Sequence, residues 1–493
     1  MARSPNLDLS VNMWQLVLRA AACLGIIGSG LPLPPSPPAR RLRGHFLPRR
    51  KLFLLIEEWI DEYGPLITIR SGLENVVVIG RYKAAVDIME NQGKSLADRP
   101  RTAGEFLGDG MGIPFVPKFG EKFRRMRRAL HTHLQPKAAE AYQPMQMSHA
   151  KNTVLDILDD PSNFENHLTT YDATTTMKVA YGKTTPTLAT DPEVIEMSQL
   201  IRTTGAVIRT SAYLVNTIPW LKYLPWYSRD LKQGFERRKN IYMGHLNRVK
   251  EQMQSNVNIY PSFAKYMLES SDIFGFTEAE IASLTGAFFG TGPNTSAVAL
   301  CTVLMAAACF PEEQAIVQDR ARCAPTFADQ ESLPRLHAFI SEALRWRPLA
   351  SNGLAHLATK DVIWDNYCIP AGTTVVGNHW AISRDPEVYP EPYAFKPQRW
   401  IDEQGLLRDD LKFFVYGFGR RACPGQHIAN RSVFINSALI LWAFQLALDP
   451  TKPLDDMGFM SGPRQQQPCT IEFETRIPET ELKGMMQNYP EVA

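Results

Sequence analysis

The sequence predicts a mainly α-helical fold with small β-sheets, built as a single large domain behind an N-terminal membrane anchor. Three observations carry this. Runs with helical spacing fill most of the 493 residues, strand-like alternation is confined to three short stretches, and no polar linker divides the chain after residue 50. With 44% hydrophobic and 21% charged residues, the chain can bury a large core and is not disordered wholesale. Lys and Arg number 53 against 51 Asp and Glu, a net charge of +2, so no basic field marks a nucleic-acid binder. The seven cysteines are widely spaced and form no CxxC, which argues against a disulfide framework or a zinc knuckle.

The apolar stretch from Met13 to Leu33 is interrupted by Gln15 and Arg19. Its uncharged part, Ala20 to Leu33, has 14 residues, short of the about 20 that a spanning helix needs. Counted from Met13 the length suffices, and Arg19 can snorkel to the interface. A proline-rich hinge follows with Arg40, Arg41, Arg43, Arg49, Arg50 and Lys51. That charge puts the side after the apolar run in the cytosol and the N-terminus in the lumen. A signal anchor is the expectation. An interfacial helix and a cleaved signal peptide are the alternatives, the latter disfavoured by the Pro-Pro-Ser-Pro-Pro context. The chain thus reads as anchor 1–31, hinge 32–51 and main domain 52–493.

Within the main domain, residues 66–79 read as two strands around a polar turn at Ser71–Asn75. Residues 362–377 read as a second pair around Pro370-Ala371-Gly372, and 468–477 alternates like a strand. The clearest helical runs are 120–134, 137–158, 278–309, 331–346 and 426–447.

One cysteine stands apart. Cys423 lies among Gly417, Gly419 and Gly425, follows Arg420 and Arg421, and precedes Pro424. Glycines let a backbone approach something closely, and Pro424 suits the first turn of the helix that follows. A cysteine at such a helix start gains thiolate character from the helix dipole and free N–H groups. The bland alternative is a structural Gly-Cys-Pro-Gly turn.

Taken whole, YGFGRRACPG at 416–425 resembles the haem-binding loop of the cytochrome P450 family, Phe-x-x-Gly-x-Arg-x-Cys-x-Gly. Gly419, Arg421, Cys423 and Gly425 match, and Tyr416 stands where Phe is usual. The resemblance implies that Cys423 is the axial thiolate of haem iron and that Arg421 pairs with a haem propionate. Three further stretches extend it. EALR at 342–345 places Glu342 and Arg345 on one helix face, as the family's Glu-x-x-Arg does. FKPQRW at 395–400 resembles the Pro-Glu-Arg-Phe segment, so Arg399 would complete a buried structural cluster with Glu342 and Arg345. FGEKFRRMRRALHTHL at 119–134 resembles the helix carrying Trp-x-x-x-Arg, which gives Arg127 a propionate role; Phe123 replaces the Trp. His356 stands where the family often places another propionate donor. LADRP at 96–100 and IPWLKYLPWY at 218–227 look most like fungal secondary-metabolite members.

The family's oxygen-activating helix is matched by TGPNTS at 291–296. Gly292, Thr295 and Ser296 agree, while Thr291 and Asn294 depart from the small residue and the acid. Pro293 predicts a kink there, because proline lacks an N–H and clashes with the carbonyl four residues back. Thr295 is assigned the oxygen-side hydroxyl. The alternative is a threonine satisfied by the carbonyl one turn earlier. Asn294 cannot cycle as a general acid near neutral pH, so water held by Thr295 and Asn294 would have to carry protons.

The implied pocket draws on 104–115, Phe288–Gly292 and Ala350–Ala355, and its apolar residues suit a lipophilic substrate such as a terpenoid or polyketide. No dinucleotide fingerprint follows a strand, so electrons are expected from outside. The resemblance implies haem b (iron protoporphyrin IX), dioxygen, and an NADPH–cytochrome P450 reductase in the same membrane, expected to be the endoplasmic reticulum. Lys122, Arg124, Arg125, Arg128 and Arg420 are candidates for its docking face. Neither zinc nor non-haem iron is expected at His131, His133 or His427. The reading is a membrane-anchored haem-thiolate monooxygenase. Its rivals are a haem-thiolate isomerase, dehydratase or peroxide-driven catalyst that needs no NADPH, and a non-catalytic homologue that keeps the fold.

Overall fold

The computed structural model describes residues 30–39, 44–48, 50–71, 74–100, 119–208, 219–224, 226–227, 229–255, 260–319, 323–460 and 469–490. The apolar stretch before residue 30 and the pocket segment 104–115 therefore lie outside the described residues. The described chain is mainly helical with three small sheets. It gathers into two compact units, taken in turn.

The first unit comprises residues up to Pro100, Ala350–Tyr393 and Phe414–Ala422. Its four-stranded sheet has the order β1-β2-β6-β3. Strands β1 (Leu66–Ser71) and β2 (Glu74–Ile79) form the antiparallel hairpin expected at 66–79. Strand β3 is His356–Leu357, and β6, Thr374–Gly377, runs parallel to β2. Edge strand β1 is covered by the proline hinge. Pro34 and Pro35 carbonyls accept from the Thr68 hydroxyl (2.8 Å) and Thr68 N–H (2.7 Å). Prolines have carbonyls but no N–H, so they can cover an edge without extending it. Ile56 and Ile60 of helix Leu52–Tyr63 pack with Ile67, Ile69 and Val78 of the hairpin.

The expected pair at 362–377 needs correcting. Strands β4 (Val362–Trp364) and β5 (Tyr367–Ile369) pair with each other around Asp365-Asn366, and β6 joins the other sheet. Asp365 has φ 52°, a left-handed conformation that Asp and Asn tolerate in tight hairpin turns.

The second unit holds the helices that matter most here. The central helix, Glu278–Cys309, begins with a capping box, in which the Thr277 hydroxyl accepts from Glu280 N–H and the Glu280 carboxylate from Thr277 N–H. It runs on through position 293. Beside it lie helices Phe164–Tyr181, Pro192–Ile208 and Arg229–Gln254. Phe123, Met126, Met177, Leu246, Phe263 and Phe289 belong to one buried cluster. Among the described residues the central helix alone is long and apolar enough to cross a membrane. It is 71% buried over its apolar window, the condition of a core helix.

Three helical expectations also need correction. The run 137–158 divides into Pro136–Glu140 and Gln143–Asp159, with Pro144 in the first turn of the second, where a missing N–H costs least. Helix 331–346 begins at Pro334 for the same reason, after a 3₁₀ turn. The helix expected over 426–447 ends at Ala443. Phe444–Leu448 is strand β7 instead, paired with β8 (Ile471–Thr475). Pairing with a distant strand overrides a local pattern that alone reads as helix.

Candidate active site

In the first unit, the loop Phe414–Ala422 is pinned from below by a π-helical turn, Val86–Asn91. The Glu90 carboxylate accepts the Gly419 N–H at 2.6 Å. Gly419 has φ +57°, and a Cβ there would meet the Met89 carbonyl at 2.5 Å, so both conformation and closeness require glycine. Tyr416 closes a half-buried 3₁₀ turn, Phe414–Tyr416.

The same unit concentrates positive charge in a buried place. Arg421 donates through Nε to the Ala97 carbonyl (2.6 Å), and Arg99 donates through Nη1 to the Ala355 carbonyl (2.6 Å). Burial and then the Arg421 charge lower Arg99 to about 9. His356 donates from Nδ1 to the Leu96 carbonyl at 2.8 Å. Burial first, then the Arg99 charge, push it down to about 3. A neutral ring protonated on Nδ1 offers only a lone pair at Nε2, so donation to a carboxylate there requires the imidazolium.

In the second unit, Cys423 precedes helix Gln426–Ala443, whose N-cap is Gly425. The residue has an accessible face although protein surrounds it closely. Burial pushes the thiol above its ordinary pKa, and this outweighs the Gly425 and Gln426 N–H groups and the Arg127 guanidinium, which all favour thiolate. The sequence expectation of a helix-start thiolate is thus half met: the donors are present, but desolvation wins until a cation arrives. Coordination to a metal deprotonates a thiol outright. Arg127 lies in helix Glu121–Leu134. Burial lowers it, and Cys423 acts in the opposite sense.

On the central helix, the Thr295 hydroxyl donates to the Thr291 carbonyl at 2.9 Å, and more distantly to Gly292 at 3.4 Å. That is the locally satisfied arrangement weighed above, although its oxygen remains exposed and able to accept. Asn294 exchanges long contacts of 3.4 Å with the Ser198 hydroxyl on the neighbouring helix. Phe289 is core, fully buried, while Phe288 is half-buried. Leu354, in the first unit, is exposed.

Glu342, Arg345 and Arg399 come together in the second unit, the first two fully buried and Arg399 half-buried. Arg345 grips Glu342 through Nε (2.7 Å) and Nη2 (2.8 Å), and Arg399 Nε reaches it at 3.1 Å. Lys396 N–H (2.8 Å) and Trp400 Nε1 (3.0 Å) complete five donors on one carboxylate. Burial raises the Glu342 pKa, but Arg345 and the other donors outweigh it and hold it below the ordinary value.

Of the candidate docking cations, Lys122 is paired to Glu280 at 2.9 Å and Arg125 donates to the Phe274 carbonyl at 3.0 Å. Arg124 has only an exposed pair with Glu121, and Arg128 and Arg420 are exposed. No cluster of three metal-ligating side chains occurs among the described residues. Sequence reasoning passed over three residues: Glu90, Arg99 and Asp172. Arg99 had a signal in the LADRP stretch. Glu90 and Asp172 had none, since each acts on a backbone N–H far away in sequence.

A cysteine held just before a helix start, in the unit that carries the long, buried central helix, is an arrangement compatible with a haem-thiolate protein. The chain belongs to the cytochrome P450 family, whose profile matches residues 34–472, and it is an oxidoreductase of the monooxygenase class. It is similar to cytochrome P450 monooxygenase 113 of Postia placenta, 43% identical over 492 residues, covering 94% of this chain and 98% of that one. Cytochrome P450 monooxygenase 64 of Postia placenta is 45% identical, covering 91% of this chain and 92% of that one. Cytochrome P450 monooxygenase criE of Aspergillus cristatus is 30% identical, covering 91% and 84%.

The residues fit the family's haem-thiolate cofactor. The group needs a thiolate, which Cys423 can supply through its accessible face, with the Gly425 and Gln426 N–H groups and the Arg127 guanidinium of the same unit favouring that form.

Proposed function

We propose that this chain is a membrane-bound monooxygenase that oxidises a lipophilic small molecule, a fungal secondary metabolite such as a terpenoid or polyketide. Its electrons come from NADPH through a flavin-containing reductase in the endoplasmic-reticulum membrane. The Cys423 loop carries the reading. Cys423 would hold the iron of haem b, and Arg421, Arg127 and Arg99, with His356 once protonated, would hold its carboxylates. Bound there, haem supplies reductive activation of dioxygen, with one oxygen atom going to substrate and the other to water.

The chain's own residues bind, orient and move protons around that chemistry. The Gly425 and Gln426 N–H groups direct partial positive charge at the Cys423 sulfur, which moderates its electron donation. Thr295 keeps an accessible oxygen that can hold a water while its own proton stays on the Thr291 carbonyl. Asn294 orients such a water without titrating. Exposed Trp220, Tyr223 and Trp226 offer a second contact with the bilayer surface beside the anchor.

Two measurements test this. The reduced, carbon monoxide-treated protein should show the absorption band that names the family, and Cys423→Ala should lose it. Loss on Cys301→Ala or Cys368→Ala with the band kept in Cys423→Ala would overturn the assignment. With a reductase and candidate lipophilic metabolites, Thr295→Ala should keep substrate binding but form less product per NADPH and release more hydrogen peroxide. Unchanged coupling would leave Thr295 as a locally satisfied helix residue. Product without NADPH would favour an oxygen-independent or peroxide-driven reaction.

A further inference from the structure

Asp172 lies on helix Phe164–Tyr181, which packs along the central helix, and its carboxylate is buried with 3% of its surface exposed. It accepts the Ala297 backbone N–H at 3.2 Å. The buried Ser296, through its hydroxyl and N–H, favours the ionised carboxylate. The Ala297 contact is unusual, because a continuous helix commits the N–H of 297 to the carbonyl of 293. The helix nonetheless runs without a break from Glu278 to Cys309, so the carboxylate reaches this N–H beside a continuous helix. The contact falls one turn beyond position 293.

The helices are also pressed together here. A Cβ at Gly292 would collide with the Thr176 side chain, one turn along from Asp172. Gly292 thus permits the approach that brings Asp172 to Ala297. The turn 291–297 itself contains no acid.

We propose that Asp172 is a positioning residue for the oxygen-side turn of the central helix, fixing Thr291–Ala297 against the neighbouring helix by accepting the Ala297 N–H. The inference rests on the proposed role of Thr295, and deepens it. The Thr295 hydroxyl lies between the Thr291 and Gly292 carbonyls, and the orientation of those carbonyls follows from where the next N–H groups point. Asp172 would act through the backbone, without touching substrate.

Amide hydrogen exchange on the full-length, haem-loaded protein tests this. Asp172→Leu removes the acceptor while keeping the branched shape, and Asp172→Ala serves if the larger leucine does not fold. Asp172→Asn keeps an acceptor oxygen. The carbon monoxide band confirms that each variant is folded. In the acceptor-free variant the Ala297 amide should exchange about three- to tenfold faster, as expected for a lost hydrogen bond to a partly ionised acceptor. The rest of both helices should be unchanged, and Asn should restore most of the protection. The same variant should form less product per NADPH at unaltered substrate affinity, with partial recovery in Asn. Unchanged exchange at 297 in a folded, acceptor-free variant would overturn the proposal, as would equal losses in Leu and Asn. If the Ala297 amide is freed while Thr295→Ala leaves coupling untouched, the clamp stands and the oxygen-side role of Thr295 falls.

Discussion

Replacing Glu342 with Gln keeps the shape of the side chain and removes its charge, at the centre of five donors. In the wild type, one carboxylate oxygen takes Arg345 Nη2, Arg399 Nε and Lys396 N–H, and the other takes Arg345 Nε and Trp400 Nε1. A glutamine oxygen can replace one of these but its NH₂ cannot replace the other, so at least two buried donors lose their acceptor. At about 1–3 kcal/mol for each stranded group, and with Arg345 fully buried and no longer neutralised, the loss should be about 3–5 kcal/mol. The assay is guanidinium denaturation of the haem-loaded protein, followed by helical circular dichroism and by the carbon monoxide band. Both transitions should move to lower denaturant together. Arg399→Met should cost less than Glu342→Gln, because Arg345 still holds both oxygens of the carboxylate. A loss below about 1 kcal/mol in Glu342→Gln would refute the reasoning, since it would mean that the cluster gains no more than an exposed ion pair.

Two more expectations follow from named groups. Asp172 is raised by burial from 3.8 to about 7, against the Ala297 N–H and the Ser296 hydroxyl and N–H that lower it; no charged group is among the causes. The folded state therefore holds a proton that the unfolded chain has lost. Its contribution to stability is full below about pH 4 and declines as pH rises through 7, by roughly 4 kcal/mol in all. The difference between wild type and Asp172→Asn, measured by denaturation from pH 5 to 8, should follow that decline; a pH-independent difference would rule it out. Separately, Gly419→Ala should destabilise by about 2–4 kcal/mol, combining a left-handed conformation with the collision against the Met89 carbonyl, and Gly417→Ala by about 1–2 kcal/mol through conformation alone. Equal costs at both positions, read from thermal loss of the carbon monoxide band, would refute the steric part.

The sequence by itself determined the class of fold and the family, and singled out Cys423 as the candidate thiolate. The reason is that each of these rests on local pattern: helical spacing at 278–309, the glycine and arginine positions around Cys423, and the short alternation at 66–79. It also predicted elements by local pattern where long-range pairing rules. Phe444–Leu448 reads as the end of a helix until β8 pairs with it, and β6 reads as the partner of 362–364 until β2 takes it. Tertiary structure alone decided the electrostatics. The helix-start signal around Cys423 does not reveal that burial lifts its thiol pKa, nor does ADRP reveal that Arg99 lies buried against Arg421. Desolvation depends on what the rest of the chain brings near a group, and a one-dimensional pattern does not contain it. The same holds for Asp172 and Glu90. Each reaches a backbone N–H, and every residue but proline has one, so sequence carries no mark of which N–H a distant carboxylate will find.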